Sequence, residues 1–160
     1  MRFTLVDRIV ELEKGQSIST VKNLSLAEEY LQDHFPGFAV LPGVMMVEAL
    51  VQSGAWLMRA TDDFRCSTIL LKEAKAVKFN SFVTPGHQLQ VDVKTHKWGE
   101  NECTFKCTSR IDGDETAVSA RITLQQFNLA ERNPSLTSSD DDLKAKMREL
   151  FNQLYQPATD

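Results

Sequence analysis

The segment His34–Gln52 reads HFPGFAVLPGVMMVEALVQ and brings an imidazole, a lone carboxyl and a Pro-Gly helix start into one short stretch. Pro42 suits the first turn of a helix and has no N–H to give, so the first free donors are the amides of Gly43 and Val44. Gly43 carries no side chain, and a ligand can therefore approach those amides closely. The positive end of the helix dipole adds to them, forming an oxyanion site suited to a thioester or ketone oxygen that gains negative charge. Glu48 lies further along, among apolar residues. A carboxyl buried there must pair, reach water or hold a proton, because an unpaired ionised carboxylate in an apolar setting is costly. Glu48, Gln52 and Arg59 also project within a narrow arc of one helix, a pattern that equally describes a solvent-facing polar stripe.

The elements that must position these groups follow from periodicity. Val44 to Met58 is the longest apolar stretch. Glu48, Gln52 and Ser53 interrupt it, and it falls short of the roughly 20 residues of a membrane-spanning helix. It is expected to be one long buried helix, with Thr61-Asp62-Asp63 as its stop. Upstream, IVELEKGQSISTV predicts two short strands about a turn at Lys14-Gly15. Ser25, with Glu28 three residues on, predicts a short capped helical turn. From Ser67 onward, STILLKEAKAVKF, HQLQVDVKTHKW, ECTFKCTSRI and TAVSARITLQQF predict four consecutive antiparallel strands. In the second of these, Leu89, Val91 and Val93 alternate with Gln90, Asp92 and Lys94, the signature of a sheet with one dry face. Only the Val44–Met58 helix is long and apolar enough to cover that face.

Residues 1–127 are thus read as one α+β domain, an antiparallel sheet wrapped around a central helix. Residues 128–160 are read as a polar linker followed by an amphipathic helix, with Leu143, Met147, Leu150, Phe151 and Leu154 at helical spacing and Asp140 to Asp142 near its start. A helix so short needs a surface to dock on.

Composition narrows the functional classes. The 160 residues are 42% hydrophobic and 25% charged, a soluble globular composition. A net charge of −4, with no Lys/Arg run, argues against a nucleic-acid partner. Three cysteines, Cys66, Cys103 and Cys107, cannot all pair within the chain, and the charged N-terminus is unlike a signal peptide, so the cytoplasm is the expected compartment. Neither His87 nor His96 has Cys, His or carboxylate neighbours at metal-ligand spacing, and no metal site is read.

The pattern H-F-P-G-x-x-V-x-P-G-V-x-x-x-E-A-x-x-Q resembles the β-hydroxyacyl-acyl-carrier-protein dehydratases of the FabZ/FabA type. The upstream RFTLVDRIVELEKGQSISTVKN and downstream AKAVKF and VTPGHQL share this likeness, which runs from about Arg2 to about Leu124. The resemblance implies a hotdog fold, a curved antiparallel sheet around one long helix. It implies dehydration of (3R)-3-hydroxyacyl thioesters to trans-2-enoyl thioesters in fatty-acid or related acyl-chain synthesis. His34 would remove the α-proton, with its other ring nitrogen held by the Val40 carbonyl, and Glu48 would protonate the departing hydroxyl. The Gly43 amide, with Val44, would bind the thioester oxygen, while Gln52 would hold Glu48. No cofactor is implied. The partners would be acyl carrier protein or a coenzyme A thioester, and a second copy of the chain. In the family the histidine of one subunit faces the carboxylate of the other in a homodimer, and dimers often assemble into hexamers.

The acidic carrier protein would approach a basic rim, for which Lys72, Lys75, Lys78, Arg59 and Arg65 are candidates, although each singly reads as well as a solvated surface residue. The chain departs from the pattern at Asp33, where Gly is usual, at Ala39, and at Asn80-Ser81 in place of a basic pair. These changes weaken the expected rim. A hotdog thioesterase, or a non-catalytic paralogue that binds acyl groups or carrier protein, is the alternative.

Overall fold

The computed structural model describes residues 3–157. Two strands, β1 (Arg8–Glu13) and β2 (Ser17–Asn23), form the first hairpin about Lys14-Gly15. The long helix α1 (Gly43–Thr61) follows, and then β3 (Thr68–Phe79), β4 (Gln88–Trp98), β5 (Glu102–Ile111) and β6 (Glu115–Phe127). All join one six-stranded antiparallel sheet in the order β1-β2-β4-β5-β6-β3. Although β3 and β4 are consecutive in the chain, β4 pairs with β2 and β5, whereas β3 crosses to pair with β6. One edge of the sheet is therefore β3.

The α1 helix lies against the dry face. Leu89, Val91 and Val93 of β4 are fully buried, and so are Ala49, Leu50, Leu57 and Met58 of α1. Burying a Leu side chain of this kind contributes about 1.5–3 kcal/mol over leaving it in water. Helix and sheet approach closely at Gly54, where a Cβ would stand 3.1 Å from Leu124 Cδ1 and 3.4 Å from Phe105 Cδ2. In the same contact layer Thr20 and Ser53 satisfy each other at 2.7 Å, and Ser53 also donates to the Ala49 carbonyl. The buried polar pair is thereby matched.

Three local expectations are corrected. Pro42 is the N-cap of α1, with extended backbone at ψ 139°, and the helix begins at Gly43. Ser25 does not cap a helix: its hydroxyl accepts from Ala27 N two residues on, a local turn, and the helical turn forms later, over Glu29–Leu31. The polar linker after β6 is shorter than read, holding 3-10 turns at Leu129–Glu131 and Pro134–Leu136, and the second long helix, α2 (Thr137–Leu154), begins within its Ser/Asp stretch.

The docking of α2 has two anchors. Phe151 packs on Trp56 and Phe64, with ring centroids 6.1 and 5.7 Å apart. Asp140, almost fully buried, accepts from the Ser67 hydroxyl and from the backbone N–H groups of Leu129 at 2.8 Å and Ala130 at 2.9 Å. Burial alone would raise its pKa, but these donors outweigh it and hold the carboxyl below its ordinary value. Among the described residues no helix is long and apolar enough to cross a membrane.

Candidate active site

His34 lies in the loop between the Glu29–Leu31 turn and α1, and that loop is tied to itself. Phe35 and Phe38 exchange backbone hydrogen bonds of 3.0 and 2.9 Å, and the His34 carbonyl accepts from Val40 N at 3.0 Å. In return the His34 Nδ1 lies 3.1 Å from the Val40 carbonyl. A carbonyl can only accept, so Nδ1 carries a proton, and in the neutral imidazole the lone pair is then on Nε2. Asp33 is exposed and makes no hydrogen bond to the imidazole among the described residues.

The imidazole opens on a pocket of about 200 Å³ that Val40, Gly43, Met46, Phe79 and Phe82 also line. Gly43 and Val44 are the first two residues of α1, so their N–H groups have no carbonyl four residues back to bond and are free for a ligand. Phe79 crosses close over the glycine: a Cβ on Gly43 would stand 2.9 Å from its Cε1. The absent side chain thus leaves room for the ring and for an approaching oxygen together.

Glu48 lies elsewhere. It is half-buried and lines a second cavity of about 810 Å³. Gln52 fixes it: the Gln52 Nε2 donates to Glu48 Oε1 at 3.0 Å and to the Phe3 carbonyl at 2.8 Å, while Gln52 Oε1 accepts from Leu5 N at 2.9 Å. One chain therefore presents an imidazole with a helix start in one pocket and a positioned carboxyl in another.

Of the basic candidates, Lys75 and Lys78 line one shallow cleft together with Lys106 and Arg121. Lys72 pairs with Glu102 and Lys75 with Glu73, while Arg65 donates to the Glu100 carbonyl and Asn101. Lys78 faces the outer side of the sheet opposite Ser119. Arg59 lines the Glu48 cavity, its guanidinium 5.2 Å from the centre of the Trp56 ring. Sequence reasoning missed Phe79, Phe82 and the α2 residues that line these cavities. A signal was present in KFNSF, which sets two large apolar side chains about a short polar pair at the end of a strand.

A family profile described as a FabA-like domain matches residues 1–120. The chain belongs to this family. Among FabA-like relatives, it is 39% identical over 118 residues to the 3-hydroxyacyl-[acyl-carrier-protein] dehydratase FabZ of Levilactobacillus brevis, covering 74% of this chain and 79% of that one. It is 37% identical over 122 residues to the FabZ of Magnetococcus marinus, covering 75% and 79%. The dehydratase heterocomplex ApeI:P of Xenorhabdus doucetiae superposes with a TM-score of 0.68 over 84% of this chain and 90% of that one, at 16% identity. The fold is the hotdog fold, and the FabA-like match contains β1 to β5 and α1 but not α2.

Proposed function

We propose that the protein dehydrates 3-hydroxyacyl thioesters carried on acyl carrier protein, with His34 as the base, the Gly43 and Val44 amides as the oxyanion site, and Glu48 of a second copy as the acid. The reading is carried by the Val40-held imidazole opening on the same pocket that Gly43, the first residue of α1, lines with its unbonded amide. It is the activity named for the FabZ relatives.

Each step uses a group of the chain. The lone pair on His34 Nε2 takes the proton from the carbon next to the thioester carbonyl. The electron pair moves to the thioester oxygen, where the Gly43 and Val44 N–H groups and the helix dipole stabilise the enolate. When that charge returns, a carbon–carbon double bond forms and the C–O bond breaks. Glu48 protonates the leaving hydroxyl, which departs as water.

Two observations support assembly around a partner. The twelve-residue edge strand β3 carries Leu71 opposite the buried Leu124, on the face that α1 covers elsewhere, yet Leu71 is 40% exposed. An uncovered inner face on an open edge invites a second strand. Phe35, Phe38, Phe79 and Phe82, exposed about the His34 pocket, form apolar surface of the kind an interface covers. A symmetric dimer joined there supplies each imidazole with the partner's carboxyl.

The test follows 3-hydroxybutyryl and crotonyl thioesters by enoyl absorbance, with free thiol read in parallel. His34→Ala and Glu48→Gln each lower turnover at least about 10²-fold. Mixing the two inactive variants by co-expression restores activity, because one site of each mixed dimer keeps both groups. Free thiol released without change in enoyl absorbance, or a mixed dimer as inactive as its parents, overturns the assignment.

A further inference from the structure

The Glu48 cavity is longer than the chemistry at Glu48 requires. It follows the face of α1 from Glu48 past Trp56 to Arg59. Eleven residues at 1.5 Å each make this roughly 16 Å along the helix. Its opposite wall is α2, through Met147 and Leu150, with Lys146 exposed beside them. The family match ends before α2 begins, so this wall is a feature of the chain beyond the shared domain.

Arg59 stands at the far end without an anion. Its Nε is buried and makes no hydrogen bond, and among the described residues no carboxylate lies within 4 Å of its guanidinium, although Glu149 lines the same cavity. Trp56 beneath it offers a cation–π contact. That contact does not replace the lost water, and burial brings the guanidinium down to a pKa of about 10. A part-desolvated cation facing a groove gains strongly from an oxyanion brought into it.

We infer that Arg59, with Lys146 beside it, binds an anionic group on the thioester substrate in the groove between α1 and α2, so that the C-terminal helix is part of the substrate site. The inference rests on the dehydratase reading for what enters the groove. The group is a phosphate or carboxylate on an extended chain, with its charge roughly 16 Å from the acid. Two parts of a carrier-linked substrate have this chemistry: the phosphate of the pantetheine arm, and a carboxylate at the far end of the acyl chain.

Steady-state kinetics of the full chain separates them. One pair of substrates is 3-hydroxybutyryl-coenzyme A against its N-acetylcysteamine thioester, which lacks the phosphate. The other is a long 3-hydroxyacyl N-acetylcysteamine thioester ending in a carboxylate against one of equal length ending in a methyl. The wild-type chain has a lower KM for the anionic member of one pair by about 10- to 100-fold, the scale of a hydrogen bond to a charged group. Arg59→Gln collapses that ratio, and Lys146→Glu, at an exposed position that leaves folding intact, moves it in the same direction. The pair that responds identifies the source. Equal KM ratios in the wild type and both variants overturn the inference. Calorimetric titration with coenzyme A and with the carboxylate-ended thioester reads the same contact without turnover. Arg59-dependent binding in a chain that turns over none of the thioesters would therefore refute the dehydratase reading while sustaining this one.

Discussion

Gly43→Ala separates the helix start's role in chemistry from its role in folding. A methyl at position 43 would stand 2.9 Å from Phe79 Cε1 and 3.2 Å from Cζ. Carbon atoms in ordinary contact lie about 3.5–4.0 Å apart, so the ring must retreat by about 0.6 Å or more. It can do so, because Phe79 is 56% exposed. Against this, Gly43 has a helical backbone, and replacing glycine by alanine in a helix contributes about 0.5–1 kcal/mol. The two effects nearly cancel, leaving stability within about 1 kcal/mol and the Tm within about 4 °C of the parent. Activity does not cancel. The methyl and the displaced ring occupy the space by which an oxygen reaches the Gly43 and Val44 amides, and losing an oxyanion donor costs about 10²- to 10³-fold in kcat. Thermal melting by circular dichroism, together with hydration of a crotonyl thioester, measures both sides. Wild-type kcat/KM in the variant refutes the oxyanion assignment, and a Tm lowered by more than about 10 °C refutes the claim that Phe79 yields.

Gln52→Leu removes the clamp on Glu48 and leaves the buried N–H of Leu5 unpaired, so stability falls by about 1–3 kcal/mol in urea unfolding and kcat drops about tenfold with little change in KM. Asp140 contributes stability that is present above its ordinary pKa of 3.8 and is lost as pH falls through its lower folded value, so α2 loosens on acidification below about pH 4. Trp56 fluorescence reports this through the Phe151 contact, and in Asp140→Asn the contact is already weakened at neutral pH, with a flatter acid transition. Leu71→Lys, on the inner face of the open edge strand, yields a folded monomer in sedimentation velocity, with activity lost alongside the dimer.

Much of this architecture was legible in the residues. The alternation of Leu89, Val91 and Val93 marked the dry face, and the interrupted apolar run after Pro42 marked the helix that covers it, because both patterns are local and periodic. The crossing of β3 to β6 was not legible: strand order depends on which edges meet after collapse, and nothing local in β3 names the strand it pairs with. The site divided in the same way. His34, Gly43 and Glu48 could be singled out from their types and spacing, and so could Gln52. The Arg59 side chain could not be placed, since a solvated rim and a buried groove call for the same arginine at the same helical position. Trp56 three residues before it was the available signal, for helical side chains lean toward the N-terminus and set the guanidinium over that ring. Asp140 looked like a charge answering its own helix dipole. It does stand in the first turn of α2, and it also satisfies the N–H groups of Leu129 and Ala130, a contact made only once the chain folds back.

The placement of His34 and Glu48, the two groups of the proposed mechanism, follows from the same constraints. An imidazole needs a rigid acceptor for one nitrogen and open space at the other, which a short loop folded back on Val40 provides. A carboxyl in the proposed acid role needs a fixed position, which Gln52 provides one helical turn on. Within one chain these settings open on different cavities, so neither pocket holds both groups. The unfilled requirement of each pocket is what the other supplies, and the open edge at β3 is where a second copy can bring them together. In the proposed mechanism assembly would act directly in the chemistry, and α2, docked by Phe151 and Asp140 against the carboxyl's cavity, would shape what the completed site accepts.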